Sequence, residues 1–533
     1  MIFLYILYFF YFLSFIFVFS INYIYYKLSN SFNYYLLYSL FKIININGAP
    51  MIKFTQWFLI IFDNIFITDK KKNLIIFDIF NNIYNNCSVH SLQYTKKLFY
   101  EDYKSSFSDV MTLDESFSVK SGSIAQVYKC YHKQLNKYVA VKVVHPNIYY
   151  QFIWFKKIID LYIYITKFNI FKKYKLPFDF ITIYDDFYKQ TDLNNESSNM
   201  ILFKELYKNN DIIIIPQSIF SSKNILIMDF YDGVLFSELQ YSEYFKTNIF
   251  TIFKLFNLDM LLSKPLFHND LHIANWMITY DSSHNNDNIN DNDNDNDNDN
   301  DNDNDNNFVK KNNLDISYVS FDNIKIVILD FGYCNNNYYI EFTKEFILYS
   351  DTGDYCKLLD LVISVIKKEN EIILDKNDIL QYMYDCYNNS NKNLYTNNDY
   401  VNLEYTIDIC INNCDNTAEF FNNSKNLHFL DKINFLIYFL KYSISNNIVL
   451  NKYLFDLLIY FIIIWKNLSS YSYNIDNKKV LSISNYYATK YNFDSILDWN
   501  NTFYKKNNDL RNIYSNTYLH DISCNNLNDV ISI

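Results

Sequence analysis

The sequence predicts an α+β fold in which a helical N-terminal extension precedes a mixed region and a mostly helical C-terminal half. Three observations predict it. Short runs of β-branched residues, such as YVAVKVVHP (Tyr138–Pro146) and KIVILDFGY (Lys325–Tyr333), have the character of strands. Longer apolar runs, such as FIWFKKIIDLYIYITKF (Phe152–Phe168), have the length and pattern of helices. Half of the 533 residues are hydrophobic, enough for a sizeable core spread over roughly two to four domains.

The extension opens with MIFLYILYFFYFLSFIFVFSINYIYY, which carries no charge before Lys27. About twenty such residues cross a bilayer core as one helix. The basic start and small-residue cleavage site of a signal peptide are missing. A membrane anchor over residues 1–30 is therefore favoured over a buried core helix. Lys27, Lys42, Lys53 and Lys70 to Lys72 follow it, which favours the positive-inside face for the rest of the chain. A second apolar run, YLFDLLIYFIIIW (Tyr453–Trp465), is shorter and contains Asp456, so it reads as a core helix.

The net charge is -11, but nine of the aspartates lie in NNDNINDNDNDNDNDNDNDNDNN (Asn285–Asn307); without them the balance is about -2. That tract cannot bury apolar surface and reads as a disordered surface loop. Calcium binding by it would call for the glycines of calcium loops, which it lacks. Neither the total charge nor any lysine cluster supplies the basic stripe that a nucleic-acid partner requires.

Scarce residues carry more information. There are five glycines (Gly48, Gly122, Gly233, Gly332, Gly353), and Arg511 is the one arginine, a pattern that fits codon bias. A glycine kept against such a bias marks a place where a side chain does not fit. The eight cysteines lack paired Cys-x-x-Cys spacing, and although Cys410 and Cys414 are four apart, no second pair accompanies them. Buried free thiols in a reducing compartment are expected.

The chemistry centres on HNDLHIANWMI (His268–Ile278), which by itself also reads as a turn between strands. Asn275 follows Asp270 by five residues, the spacing of a kinase catalytic loop. Upstream, Lys142 stands on a strand; downstream, Asp330, Phe331 and Gly332 end another. Phosphoryl transfer needs a strand lysine on the nucleotide phosphates, an acid to hold that lysine, and an Asp and an Asn on Mg²⁺. Asp270 would take or orient the proton of the nucleophile, while Asn275 and Asp330 grip the metal. The loop before Lys142, VKSGSIAQVYKC (Val119–Cys130), has the single glycine Gly122 where a protein kinase has three, so it cannot close over ATP in the usual way.

At these residues the chain resembles the UbiB/ADCK (aarF domain-containing) atypical kinases. Their alanine-rich loop A-A-A-S-I-G-Q-V is similar to KSGSIAQV, their V-A-V-K-V-x-H-P to VAVKVVHP, and their H-x-D-x-H-P-G-N to HNDLHIAN. Their E-x-D-x-x-x-E-x-x-N resembles QTDLNNESSN (Gln190–Asn199), with Gln190 in place of the first acid; the match implies that Glu196 pairs with Lys142. ILIMDFYDGV (Ile225–Val234) fits the segment that holds adenine, which implicates Asp229 and Tyr231 beside Gly122, Ser123 and Lys142 in nucleotide binding. GAPMIKFTQW (Gly48–Trp57) resembles their K-x-G-Q signature, with Thr55 replacing the glycine. That match implies a lid over the acceptor site in which Lys53 and Gln56 sit and Lys53 reaches Asp192. DTGDY, with Gly353, resembles the later G-D-Y.

The resemblance implies a bilobal protein-kinase-like fold with an N-terminal helical extension and a mostly helical C-lobe. Its parts are an anchor at 1–30, the extension at 31–118, an N-lobe with inserted helices at 119–234, a C-lobe at 235–495 and a tail at 496–533. It implies ATP and Mg²⁺ as cofactors and a mitochondrial inner-membrane kinase or ATPase supporting coenzyme Q (ubiquinone) synthesis, with a lipid membrane, quinone-biosynthesis proteins or lipid quinone precursors as partners. Two alternatives stand beside it: a pseudokinase scaffold in a membrane complex, and a membrane structural protein with these motifs by chance.

Overall fold

The computed structural model describes residues 2–65, 89–168, 179–238, 243–271, 274–280, 324–338, 340–352, 354–370, 374–391, 432–446, 454–458 and 486–498, with a few single positions between them. The Asp/Asn insert, Lys70 to Lys72, Gly353, Cys410, Cys414, Cys524 and residues beyond 498 lie outside these residues.

Three helices lead the chain: α1 (Ile2–Ser29), α2 (Tyr34–Ile46) and α3 (Ala49–Ile65). Among the described residues, α1 is the one helix long and apolar enough to cross a membrane, through Ile6–Ser29. Its 24 residues rise about 36 Å, more than a bilayer core. The α1 and α2 helices run antiparallel: Asn22 Nδ2 donates to Leu36 O at 3.0 Å and Asn47 Nδ2 to Tyr11 O at 3.2 Å. The turn into α3 requires Gly48, whose φ of +84° is left-handed and whose Cβ, if present, would stand 2.4 Å from Gln151 Oε1. That oxygen instead accepts from Ala49 N at 2.9 Å, tying the start of α3 to a helix a hundred residues on.

Helices α4 (Leu92–Tyr103) and α5 (Phe107–Val110) lead into the strands β1 (Met111–Leu113), β2 (Lys120–Ser121), β3 (Ala125–His132) and β4 (Lys137–Val144). Then come α6 (Ile148–Ile165), α7 (Phe180–Lys189) and α8 (Leu193–Leu206), followed by β5 (Ile213–Ile214), β6 (Ser218–Ser221) and β7 (Ile225–Asp229). Six of these strands form an antiparallel sheet in the order β1-β3-β4-β7-β6, with β2 also on β3. Alternation in β4 buries Val139, Val141 and Val143 completely on one face and puts Lys142 on the other. Helix α8 packs on β6 and β7.

A second sheet joins β5 to β8 (Val234–Leu235), β10 (Trp276–Tyr280) and β11 (Ile324–Ile328) in the order β5-β11-β10-β8. Gly233 allows β8 to approach β10, since a Cβ there would stand 2.7 Å from Ile278 O. Between β8 and β10 lie α9 (Glu243–Ser263) and β9 (Leu266–His268), which pairs with β12 (Cys334–Asn336). Among the described residues four longer helices follow: α10 (Ile340–Thr352), α11 (Tyr355–Asn370), α12 (Lys376–Asn391) and α13 (Lys432–Ser445). The run around Asp456 is helical and buried, as its apolar pattern leads one to expect.

Helix α3 bridges distant parts of the chain. Phe54 meets Phe155 of α6 at 6.0 Å and Phe180 of α7 at 5.9 Å, Trp57 meets Phe455 at 5.7 Å, and α13 packs alongside. Aromatic pairs at these spacings contribute about 0.5–1.5 kcal/mol each beyond their buried area. They hold Lys53, on the same helix, over the residues considered next.

Candidate active site

The sheet presents Lys142 from β4, and α8 presents Glu196 from its first turn. Lys142 Nζ lies 2.8 Å from Glu196 Oε1 and 3.0 Å from Asp330 Oδ1, so one amine joins residues 54 and 188 positions away. Asp330 adopts a left-handed backbone, φ 54°, at the end of the β11 run; a short polar residue tolerates this conformation best after glycine. Its Oδ1 also accepts from Gly332 N at 3.3 Å. Burial pulls the Lys142 amine down, but Asp330 and Glu196 outweigh it and the amine ends above its ordinary value. Burial would raise Asp330, and Lys142 with Lys53 overcomes it, so this carboxylate ends low. Glu196 is pushed up by burial and by Asp330 against the pull of Lys142.

Two supports hold this cluster. Asn199 Nδ2, one turn after Glu196, donates to Phe331 O at 2.8 Å. Phe331 is buried between Phe203 of α8, 5.1 Å away, and His268, 5.3 Å away. His268 is itself fully buried: its Nδ1 accepts from Asp270 N at 3.1 Å, so Nε2 carries the hydrogen toward Leu329 O at 3.3 Å. One imidazole thus sets the backbone of Asp270 and the approach to Asp330 together.

Asn275 Nδ2 donates to Asp270 O at 2.7 Å, closing the loop between them. That leaves Asn275 Oδ1 and Asp330 Oδ2 without hydrogen-bond partners among the described residues. One carboxylate and one amide oxygen are a fitting protein share for Mg²⁺, which takes one or two protein oxygens and completes its shell with water and phosphate. No cluster of three acidic, histidine or cysteine side chains occurs among the described residues, so this is not an all-protein metal cage.

Lys53 and Asp192 depart from expectation. Lys53 Nζ pairs with Asp270 Oδ2 at 3.3 Å, not with Asp192. The Asp192 carboxylate is the N-cap of α8, accepting from Asn194 N at 3.0 Å, which satisfies a helix-end donor. Gln56 lies one turn from Lys53 on α3. Gln190 is buried beside Gly332, and its Nε2 has no hydrogen-bond partner among the described residues.

Gly122 and Ser123 fall between β2 and β3. Gly122 N donates to Ala125 O at 2.9 Å, and Ser123 is buried next to it. A Cβ on Gly122 would meet only Ala125 O at 3.6 Å, so this glycine is not required by packing. Asp229 ends β7 inside the sheet: its carboxylate pairs with Lys137 at 2.6 Å and its N–H donates to Gln217 O at 3.0 Å, and Tyr231 follows it.

One supporting residue carries no motif that reveals it. Asp456, in the second apolar run, accepts from Tyr333 Oη at 3.3 Å and Asn335 Nδ2 at 3.1 Å, anchoring the segment after Gly332. A lone acid in an apolar run was the one signal for it.

The profile of the ABC1 atypical kinase-like domain matches residues 82–349, half of the chain. The protein belongs to this family, the UbiB/ADCK or aarF domain-containing atypical kinases. An uncharacterised aarF domain-containing protein kinase of Arabidopsis thaliana, named as chloroplastic, is 26% identical over 186 residues, 32% of this chain; the match spans 25% of that relative's length. A solved complex of a Mycobacterium tuberculosis protein with erythromycin overlays 55% of this chain and 66% of that one, at a TM-score of 0.36 and 15% identity.

Proposed function

We propose that this protein is an ATP-dependent atypical kinase or ATPase on an organelle membrane. The observation that carries the reading is the single amine of Lys142 bound at once to Glu196 and Asp330. On this reading Lys142 binds the nucleotide phosphates, Gly122 and Ser123 line them, and the segment at Tyr231 receives adenine. Asn275 and Asp330 would hold Mg²⁺, which neutralises phosphate charge when bound. Asp270 orients the acceptor hydroxyl or water and takes its proton. The site lies between two lobes, the N-lobe at 119–234 and the C-lobe at 235–495, with α3 as a lid carrying Lys53 and Gln56.

The α1 helix anchors the protein to the membrane, and the family resemblance supports a mitochondrial inner membrane and coenzyme Q synthesis as the setting. The chloroplastic name of the Arabidopsis relative favours an organelle membrane more generally. Lipid quinone precursors or quinone-biosynthesis proteins are the partners that this setting supplies.

A second reading, a nucleotide-binding pseudokinase scaffold, is favoured by the ion pair that occupies Asp270 with Lys53. Phosphate release from Mg-ATP by the full-length protein in detergent separates the two. Turnover predicts that Asp270→Asn lowers the rate by roughly a hundredfold or more, the usual contribution of a positioned base. Equal rates in variant and parent leave only the scaffold, and efficient phosphorylation of a free peptide contradicts the lid. A tagged copy followed by microscopy, with quinone content after depletion, tests the setting.

A further inference from the structure

We propose that His90 and His145 are positioning residues for the nucleotide loop, joined in a one-way hydrogen-bond relay that ends on the carbonyl of Gly122. The inference rests on the nucleotide-binding reading of that loop and adds the device that holds it.

The relay is legible atom by atom. Gly122 O has a single imidazole partner, His145 Nε2 at 3.0 Å, so Nε2 bears the hydrogen. Neutral His145 must then accept at Nδ1, which lies 2.9 Å from His90 Nδ1; His90 therefore donates from that nitrogen. His90 Nε2 is left as an acceptor, 2.9 Å from Thr95 Oγ1, whose hydroxyl turns toward it. Tyr128 Oη donates to Thr95 Oγ1 at 2.9 Å and itself accepts from Gln126 Nε2. Gln126, fully buried, starts the chain and also grips the backbone of His90, with its Oε1 accepting from His90 N at 2.8 Å and its Nε2 donating to His90 O at 3.1 Å.

From Tyr128 onward each donor in this series has one acceptor within it, while the two Gln126 Nε2 hydrogens go to Tyr128 Oη and His90 O; the direction is set by the carbonyl at its end. A proton added to either ring places hydrogens on both sides of a contact that has room for one. Accommodating it turns the Thr95 hydroxyl away from His90 and leaves one hydrogen, that of Thr95 or that of the buried Tyr128, without an acceptor in the series. The groups that face the pair are Tyr94, 4.9 Å from His90, Thr95, Gln126 and Tyr128, with Ser121 and Gly122 on the His145 side, and none of these is charged at neutral pH. His90 stands just before the N-terminus of α4, where the helix dipole also opposes a positive charge. Burial, then His145, holds the His90 imidazole down to about 4, and burial lowers His145 as well.

The placement gives the relay its purpose. Protein-kinase loops close on phosphate with three glycines; this one has Gly122 alone. Here His145 N donates to Ile124 O at 2.9 Å while its ring holds Gly122 O, so one residue straps both sides of the turn. The strap turns the Gly122 carbonyl away from the phosphates it would repel, and its rigidity replaces glycine flexibility.

The test measures Mg-ATP affinity of the full-length protein in detergent from pH 5 to 8, with imidazole tautomers read by nitrogen NMR on histidine-labelled protein. We expect parent affinity to be level near neutrality and to fall at least threefold by pH 5. His145→Ala should weaken it about tenfold at pH 7.5 and abolish the pH dependence; His90→Asn, which keeps a donor toward His145, should restore most of it. NMR should show His145 protonated at Nε2 and His90 at Nδ1. Parent-like affinity of folded His145→Ala at every pH overturns the relay while leaving nucleotide binding intact. If His145→Ala does not fold, identical or doubly protonated tautomers in the parent at pH 7.5 overturn it alone. A parent that binds no Mg-ATP removes both the relay and the reading beneath it.

Discussion

Lys53 Nζ, on the third helix of the N-terminal extension, lies 3.3 Å from Asp270 Oδ2, more than two hundred residues further along the chain. Both side chains are largely buried, at 13% and 24% exposure, so the contact is built into the packing of α3. It occupies the carboxylate proposed to orient the acceptor. A partly exposed ion pair contributes up to about 1 kcal/mol, which caps the gain from releasing it at about fivefold in rate. Lys53→Met should therefore raise phosphate release by a few-fold with little loss of thermal stability. A large fall in rate would instead make Lys53 part of the catalytic machinery.

Acid should weaken the fold before it protonates Asp330. His90 falls from 6.5 to about 4 on folding, and His145 is lowered too. Between these limits the unfolded chain binds protons that the folded chain refuses, so stability declines as pH falls through the window from 6.5 toward 4. Asp330, held low, adds a loss only at more acidic pH. Lys142, held high, contributes stability that persists until strongly alkaline pH. Urea midpoints measured from pH 4 to 8 should fall on the acid side, and His90→Gln should flatten that fall.

The glycines separate by environment. Gly48→Ala forces a left-handed residue and a Cβ against Gln151, and should cost at least about 1–2 kcal/mol. Gly233→Ala meets the backbone of Ile278 and should be no milder. Gly122→Ala meets only an ordinary contact with Ala125 O and should leave the melting temperature within a degree or two. Thermal melts of the three variants in one detergent decide the order.

Phe203 is fully buried and joins α8 to Phe331 and His268. Phe203→Ala should cost about 3–5 kcal/mol, and should loosen the geometry of Glu196 and Asp330 together. Denaturant unfolding measures the first effect; loss of Mg-ATP affinity in the protein that remains folded measures the second.

Much of this arrangement is legible in the residues themselves. The alternation around Lys142 and the Asp270 to Asn275 spacing need only local pattern, and the structure brings both to one cluster with Asp330 and Glu196. The partner of Lys53 was not legible, because Asp192 and Asp270 are equally acidic in sequence and only the folded chain puts Asp270 beside Lys53 and Asp192 at the cap of α8. Asp229 reads like a hinge residue until sheet pairing takes its N–H. His90 is one of several polar residues at the entry to a helix, and nothing local reveals that it meets His145 across 55 positions.

The central claim is that Lys142, Glu196, Asp330 and Asn275 form one site for magnesium nucleotide, and thermal denaturation of the full-length protein with and without Mg-ATP tests it most directly. A ligand at a hundred times its dissociation constant stabilises by about 2.7 kcal/mol, a shift of several degrees. The parent should show that shift, and Asp330→Asn and Asn275→Ala should each abolish most of it. No shift in the parent, or an undiminished shift in both variants, would contradict the claim.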